Sequence, residues 1–375
     1  MAQLRLNPNL LKVPLYVAGK SVEEVQEELG LDEVIKLASN ESAIGPSPRA
    51  VQAARSALDE AHRYPGVADR DLRRRLGPLA HPDLDQRHVI TGNGATDLIR
   101  MISQGFIFDG GEMVTSAVTF PMYQIGALMF GGKPVLVPPA PNLGFDLPAI
   151  AAAIGPDTRL VFLCSPNNPS GLSLRRAEVE AFMRRAPDGV LIVFDESYRD
   201  FVDDPDYLDP IEYVAAGRDV LVLRSFSKSG GLANLRVGYA LARPDLIEYL
   251  CHAQLPFNTG AVALAAANAS LDDHAFRERS RRHVQAERQF LYDSLEALGV
   301  PYLPSQANFV LIWNLPLQAQ TLGEALMRRG IIVRAVTGWG VPGGLRVTLG
   351  TRAQNQRFVQ ALQAELATAR LEVKA

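Results

Sequence analysis

Lys228 is the residue whose type and position say most about chemistry. It closes the run Leu223-Arg224-Ser225-Phe226-Ser227-Lys228, between an expected strand and a glycine-rich loop, and Arg236 follows eight residues later. A lysine amine forms an imine with an aldehyde, and a buried amine has the lowered pKa that suits this reaction. Arg236, with Ser225 and Ser227, would hold a phosphate through charge-assisted hydrogen bonds. The pattern predicts a site for a ligand that carries both groups.

A second apolar run ends in an acid, Val193-Phe194-Asp195-Glu196-Ser197-Tyr198. Pyridoxal phosphate is the cofactor with both an aldehyde and a phosphate, carried on a pyridine ring. A carboxylate at Asp195 would keep the ring nitrogen protonated, which makes the ring a better sink for carbanion electrons. Tyr198 would reach the ring hydroxyl. These two runs together predict pyridoxal phosphate as the cofactor.

Asp195 has a rival interpretation as the acid of a nucleotide hydrolase. That interpretation needs a G-x-x-x-x-G-K-[ST] phosphate loop elsewhere in the chain. Ala18-Gly19-Lys20-Ser21 comes nearest, but Pro14 stands where the first glycine is required and no strand precedes it. We therefore disfavour the nucleotide hydrolase.

Two loops between expected elements add polar groups. In Thr91-Gly92-Asn93-Gly94-Ala95-Thr96-Asp97, small residues precede a helix whose N-terminus favours anions. The alternative is an ordinary helix start capped by Thr96 or Asn93. In Ser165-Pro166-Asn167-Asn168-Pro169-Ser170-Gly171, two prolines would aim Asn168 at a phenolate oxygen. The alternative there is a plain turn.

Arg346 lies inside the apolar strand Gly344-Leu345-Arg346-Val347-Thr348-Leu349-Gly350. An isolated buried charge is costly, so this guanidinium needs an anionic partner. A substrate carboxylate would pair with its planar fork, and an internal salt bridge is the alternative.

Composition sets the outer limits. The 375 residues suit two domains, and the net charge of -3 argues against nucleic acid and anionic membranes as partners. Cys164 and Cys251 form no metal or disulfide pattern. Without an apolar leader or a run of about 20 apolar residues, we expect a soluble, cytoplasmic protein that binds no metal.

Apolar runs alternate with helical stretches between about residues 88 and 255. Seven strands are expected, at Arg87–Thr91, Met113–Ser116, Pro134–Val137, Leu160–Cys164, Val190–Asp195, Val220–Ser225 and Val237–Ala242. Such alternation predicts an α/β domain with a mostly parallel sheet, whose ligands gather at the carboxyl ends of the strands. A long helix at about 262–298 would lead to a smaller α+β domain with strands Asn308–Trp313, Ile331–Arg334 and Leu345–Leu349.

These motifs, in this order, resemble the class I/II aminotransferases of fold type I, and among them the histidinol-phosphate aminotransferase group. The resemblance runs from about Tyr16 to Arg352. Further support comes from Leu37-Ala38-Ser39-Asn40-Glu41, Gly45-Pro46-Ser47-Pro48, Arg63-Tyr64-Pro65, Ala307-Asn308-Phe309 and Gly330-Ile331-Ile332-Val333-Arg334. It implies an arm at 1–44 that packs with the small domain, a cofactor-binding domain with a seven-stranded sheet at 45–260, and a small domain at 261–375.

The resemblance also implies a role for each site residue. Lys228 would be the catalytic lysine that forms the imine and carries the Cα proton in a ping-pong scheme. Asp195 would bind the pyridine nitrogen, Asn168 and Tyr198 the ring oxygen, and Phe120 would stack on the ring, with Ser197 near its other face. The phosphate would be held by Gly94, Ala95, Thr96, Ser225, Ser227 and Arg236, and by Tyr64 from the partner subunit of a homodimer. Substrate would contact Tyr16, Asn168, Arg334 and Arg346.

The implied substrates are small molecules: L-histidinol phosphate and 2-oxoglutarate, in histidine biosynthesis. Aromatic transamination and threonine-phosphate decarboxylation on the same scaffold remain alternatives. A cofactor-binding regulator is a third, although such proteins normally carry a DNA-binding extension. Three segments depart from the usual pattern, namely Ser42-Ala43, Ser229–Asn234 and Pro256–Gly260. The first and third are expected near the substrate entrance.

Overall fold

The computed structural model describes residues 4–15, 19–66, 68–315 and 318–372. Tyr16 lies outside these ranges. The described residues form thirteen strands, β1 (Ile35–Lys36), β2 (Val89–Gly92), β3 (Glu112–Ser116), β4 (Lys133–Val137), β5 (Thr158–Cys164), β6 (Leu191–Asp195), β7 (Val220–Ser225), β8 (Gly238–Leu241), β9 (Tyr302–Leu303), β10 (Phe309–Ile312), β11 (Ile331–Ile332), β12 (Arg334–Ala335) and β13 (Leu345–Thr348).

The α-helices of the same residues are α1 (Val22–Leu29), α2 (Pro48–Leu58), α3 (Ala68–Ala80), α4 (Ala95–Phe106), α5 (Met122–Met129), α6 (Leu147–Ala153), α7 (Arg176–Arg185), α8 (Ile211–Ala215), α9 (Pro244–Cys251), α10 (Ala261–Ser270), α11 (His274–Leu298), α12 (Ala319–Arg328) and α13 (Arg352–Glu372). Short 3-10 turns lie between some of them.

The main sheet has seven strands in the order β2-β8-β7-β6-β5-β3-β4. All neighbours are parallel except β8, which is antiparallel to both β2 and β7. All seven strands expected from the sequence are present, within one or two residues of their predicted limits. The signal was clear because central parallel strands are buried on both faces and read as continuous apolar runs.

The carboxyl ends of β5, β6 and β7 lie side by side. Cys164 pairs with Asp195, and Asp195 with Leu223. The loop that contains Asn168, the acid of β6 and the loop before Lys228 therefore leave one edge of the sheet together. This edge is the crevice in which open α/β sheets bind ligands.

The single long helix expected at about 262–298 is wrong: the chain forms two helices, α10 and α11, separated at residues 271–273. Asp273 is the N-cap of α11 and accepts a hydrogen bond from the backbone N–H of Phe276 at 3.2 Å. Its second oxygen accepts one from Ser47 at 2.7 Å. A side chain from the start of α2 thus helps to fix the break, because Asp at an N-cap starts a new helix.

The C-terminal part builds a four-stranded antiparallel sheet in the order β12-β13-β10-β9. The strand expected at Ile331–Arg334 is divided between two sheets, with β12 in this one and β11 paired in parallel with β1. The N-terminal arm thus reaches the C-terminal part through β1.

Separate apolar cores lie on the two faces of the main sheet, and another lies under the C-terminal sheet. Helix α10 packs against α2 and α3 within the first of these cores. The domain limits at 44 and 260 remain predictions, and this packing favours a later end for the large domain. No helix in the described ranges is both long and apolar enough to cross a membrane.

Candidate active site

A cavity of about 450 Å³ opens at the carboxyl edge of the main sheet, below the C-terminal sheet. Twelve of the site residues predicted from the sequence line it: Ala95, Thr96, Phe120, Asn168, Asp195, Tyr198, Ser225, Ser227, Lys228, Arg236, Arg334 and Arg346. Ser197 lines it too. Residues from several loops, from the start of α4 and from two sheets thus meet at one place.

Lys228 follows β7 and extends into this cavity. Its Nζ atom donates a hydrogen bond to the carbonyl oxygen of Ser39 at 3.3 Å and lies 5.6 Å from the ring centre of Tyr198. Burial, followed by the nearby positive charge of Arg346, lowers the pKa of Lys228 to about 8. More of this amine is therefore uncharged near neutral pH than of a lysine in water, and only the uncharged form attacks an aldehyde.

Asp195 is buried at the end of β6. Its Oδ1 accepts hydrogen bonds from the backbone and hydroxyl of Ser197, at 3.0 and 2.5 Å. Its Oδ2 accepts one from the Tyr123 hydroxyl at 2.8 Å. Burial raises the pKa of Asp195, while these hydrogen bonds act in the opposite direction by favouring the charged form. The carboxylate is held ready to accept a hydrogen bond from a cationic nitrogen.

Helix α4 starts next to Arg236 and offers an anion seat. Its N-cap is Gly94, with φ of 80° and no side-chain cap, so the alternative of capping by Thr96 or Asn93 is wrong. A Cβ atom on Gly94 would lie 2.4 Å from Nη2 of Arg236. Only glycine lets the guanidinium come this close to the positive end of the helix.

Ser225 and Ser227 complete this seat from the other side. The Ser225 hydroxyl oxygen accepts the backbone N–H of Ser227 at 3.1 Å, and both residues line the cavity. Arg236 has φ of 53°, the left-handed region that costs energy for a residue with a side chain. This backbone brings its guanidinium beside α4, so hydroxyl, amide and guanidinium donors converge at one end of the cavity.

Arg346 lies at the opposite end, on β13. Its guanidinium donates to Oδ1 of Asn168 at 2.5 Å and to the carbonyl oxygen of Ala38. It also lies 5.4 Å from the ring centre of Phe309 and 5.3 Å from that of Trp339. The guanidinium thus lies between an amide, a carbonyl oxygen and two aromatic rings at the edge of the cavity, where its planar fork can pair with a substrate carboxylate.

Arg334 stands directly opposite Arg346, because β12 and β13 pair these two residues. Its guanidinium lies 5.7 Å from the ring centre of Trp339, so the indole ring is close to both cations. Like charges opposite one another on neighbouring strands are unfavourable. An anionic ligand in the cavity would offset this repulsion.

The two aromatic residues predicted for the site lie in different surroundings. Phe120 lines the cavity and meets Tyr123 edge to face, with ring centres 5.8 Å apart. Tyr64 is not brought to the cavity of its own chain: its side chain is 77% exposed and stacks on Phe257, with ring centres 4.5 Å apart. An exposed position agrees with a role toward a partner subunit, which remains a prediction.

Sequence reasoning missed several residues at this site. Tyr123 holds Asp195, Trp339 lies between the two arginines, and Asn40 contacts Tyr198. Tyr123 reads as an ordinary apolar residue of α5, and its ring does stack on Phe162 with centres 4.5 Å apart. Its position three residues after Phe120, at the start of α5, was the available signal.

A sequence model of the family described as aminotransferase class I and II matches residues 32–362. The histidinol-phosphate aminotransferase of Moorella thermoacetica is 42% identical over 359 residues, which cover 96% of this chain and 92% of the relative. That of Anaeromyxobacter is 41% identical and covers 95% and 97%. The chain belongs to the class I and II aminotransferase family.

Solved structures agree on the architecture. The histidinol-phosphate aminotransferase from Sinorhizobium meliloti, in complex with pyridoxal-5'-phosphate, superimposes with a TM-score of 0.89 at 27% identity, over 98% of this chain and 99% of that one. A Thermus thermophilus aspartate aminotransferase double mutant, at 22% identity, gives a TM-score of 0.82 over 96% and 100%. The expected fold type I α/β architecture is confirmed.

The lowered pKa of Lys228 is testable in the cofactor-free protein. Reductive methylation of Lys228, followed by peptide mass spectrometry, should increase with pH around a midpoint of about 8. Arg346→Leu should move the midpoint upward, because removing a neighbouring positive charge favours the protonated amine. Exposed Lys133 is the internal reference for the extent of labelling in both proteins. A Lys228 midpoint that does not move in Arg346→Leu would contradict the assignment.

Proposed function

We propose that this aminotransferase depends on pyridoxal phosphate and transfers an amino group between L-histidinol phosphate and 2-oxoglutarate. The observation that carries the proposal is the convergence of Lys228, Asp195, the anion seat at α4 and two arginines in one cavity. The names of the relatives support the substrate, since histidinol-phosphate aminotransferases at about 40% identity match over almost the whole chain.

The residues present fit this cofactor. Ala95, Thr96, Ser225, Ser227 and Arg236 would hold its phosphate, because their donors converge at the positive end of α4. Asp195 would pair with the ring nitrogen, and Asn168 and Tyr198 would face the ring oxygen. When bound, the cofactor supplies an aldehyde for Lys228 and a ring that takes up the electron pair left on the substrate carbon.

The protein's own groups divide the remaining work. Arg346 binds the carboxylate of glutamate and so orients the Cα–H bond toward Lys228. Nζ of Lys228 takes the proton from Cα and returns it at the other end of the transfer, which contributes about 10²–10⁴-fold as general acid–base catalysis. Its pKa of about 8 suits both directions near neutral pH. Donor and acceptor use the same cavity in turn.

Arg334 would bind the phosphate of histidinol phosphate. Tyr16 belongs to the same predicted phosphate contact and lies outside the described residues. The cytoplasmic location and the roles of individual site residues likewise remain predictions.

The protein would act as a homodimer in which Tyr64 completes the partner's phosphate seat. Its exposure of 77%, and the exposed Phe257 beside it, support this arrangement.

The function is tested by comparing L-histidinol phosphate, phenylalanine and threonine phosphate as substrates of the purified protein with 2-oxoglutarate. We expect the highest kcat/KM for histidinol phosphate, with glutamate as a product. Preference for phenylalanine would indicate an aromatic aminotransferase, and release of carbon dioxide from threonine phosphate a decarboxylase. Borohydride reduction and peptide mapping should label Lys228. Lys228→Ala should lose this label and all turnover, whereas Lys133→Ala should retain both.

The two arginines should separate the substrates. Arg334→Ala should lower kcat/KM for histidinol phosphate by about 10- to 100-fold, since a hydrogen bond to a charged group is worth about 1.5–3 kcal/mol. The loss with glutamate should be much smaller. The matched control is Arg329→Ala, which removes a surface arginine paired with Glu365. Equal losses on both substrates would exclude the phosphate role.

Mixed dimers test Tyr64. Lys228→Ala and Tyr64→Ala subunits should each have low activity as homodimers. Co-expression should restore activity, because one site of the mixed dimer then combines an intact Lys228 with the partner's intact Tyr64. If Tyr64 served its own cavity, neither site would be complete and no activity would return.

A further inference from the structure

Residues 38–40 contact three functional side chains at once. Lys228 donates a hydrogen bond to the carbonyl oxygen of Ser39 at 3.3 Å, and Arg346 donates one to that of Ala38. The Asn40 amide donates to the hydroxyl oxygen of Tyr198 at 2.9 Å. The first two contacts use the backbone, which any residue would provide. The contact of Asn40 uses its side chain and therefore depends on the residue type.

Thr348 fixes which way the Asn40 amide points. The Thr348 hydroxyl oxygen accepts the backbone N–H of Asn40 at 2.9 Å, and its proton goes to Oδ1 of Asn40 at 3.0 Å. With Oδ1 turned to Thr348, Nδ2 faces Tyr198. The asparagine and the threonine are both buried, so water does not compete for these bonds.

The amide orientation determines the polarity of the tyrosine. A phenol has one proton to donate, and the Tyr198 oxygen already accepts the N–H of Asn40. The hydroxyl proton of Tyr198 is therefore not donated to Asn40 and is available to another acceptor. Tyr198 lines the cavity beside Lys228, whose Nζ lies 5.6 Å from its ring centre. A ring oxygen held in the cavity would be such an acceptor.

We propose that Asn40 is a positioning residue that directs the hydroxyl proton of Tyr198 into the cavity, toward the ring oxygen of the cofactor. The inference rests on the proposed function, because it presumes that pyridoxal phosphate is bound with its ring oxygen near Tyr198. It adds a residue to which neither the sequence motifs nor the comparisons give a role.

The backbone of Asn40 supports a requirement for this residue type. Its φ is 55°, in the left-handed region that asparagine tolerates better than most residues. Its carbonyl oxygen accepts a hydrogen bond from the side chain of Asn308 at 3.1 Å, which helps to hold this conformation. A strained backbone at a buried position next to functional groups indicates that the residue at this position serves a function.

The direction of the effect follows from the hydrogen bond. A hydrogen bond donated by Tyr198 to the ring oxygen would make that oxygen less basic. The pH midpoint of the holoenzyme's visible absorption change would therefore be low. When Tyr198 no longer donates into the cavity, the midpoint should rise.

The experiment is a double-mutant cycle on the holoenzyme, with this spectroscopic midpoint as the readout. Y198F should raise the midpoint by about 1–2 pH units, the size expected for one lost hydrogen bond to a charged group. N40G keeps the left-handed backbone accessible and should raise the midpoint by about 0.5–1 unit. In the Y198F background N40G should add nothing, because the two residues act through one proton.

Two further variants keep the test decisive. T348V removes the hydroxyl that orients the Asn40 amide. It should also raise the midpoint when Tyr198 is present, and should have no effect on the midpoint in the Y198F background. N308A removes a side chain that helps to hold the backbone of Asn40, so it should lower thermal stability, and any shift of the midpoint should disappear in the Y198F background.

An unshifted midpoint in both N40G and T348V would overturn the proposal, and so would equal shifts with and without the Tyr198 hydroxyl. These outcomes are distinct from a failure of the proposed function. If wild-type protein takes up no cofactor at Lys228, borohydride mapping reveals this before any variant is compared.

Discussion

The removal of water from the Lys228 amine is the constraint on which the site depends. An amine in water is protonated at neutral pH and does not attack an aldehyde. In this cavity, burial and the charge of Arg346 bring its pKa to about 8. Both causes of the lowered pKa depend on the fold, because Arg346 is held on a strand of the C-terminal sheet and residues 38–40 lie against the lysine. The lowered pKa of this lysine thus depends on both parts of the chain.

Charged groups behind the cavity keep the functional loops in place. Glu196 follows Asp195 and accepts hydrogen bonds from Arg224, which also pairs with Asp209 at 2.9 Å. Arg224 directly precedes the phosphate-seat residue Ser225. Glu196 and Arg224 are almost completely buried and each has a further ionic partner, so their charges compensate one another away from water. The network ties the ends of β6 and β7 together and fixes the spacing between the acid and the lysine.

Neighbouring side chains set the hydrogen-bonding direction of Asp195 and Tyr198. Tyr123 and Ser197 both donate to Asp195, so its carboxylate is held as an acceptor. Asn40 donates to Tyr198, so that hydroxyl acts as a donor. Each functional group therefore receives its hydrogen-bonding role from a neighbour. A polar group in a buried site would otherwise settle into whichever local hydrogen bond it could form, and its role toward a ligand would not be defined.

The sequence alone determined the strands of the main sheet, the lysine and the acid at strand ends, and the arginine within β13. Apolar runs, and the polar residues that end or interrupt them, are local patterns. Lys228, Asp195, Asn168 and Arg346 needed no knowledge of neighbours to be selected. Tertiary structure decided the rest. Tyr123 and Asn40 acquired their roles from Asp195 and Tyr198, which lie 72 and 158 residues away along the chain. The division of the expected long helix, and of the strand at 331–334, also depended on distant partners, Ser47 and β1. A hydrogen bond between distant segments leaves no periodic signal in the sequence, so only the folded chain reveals it.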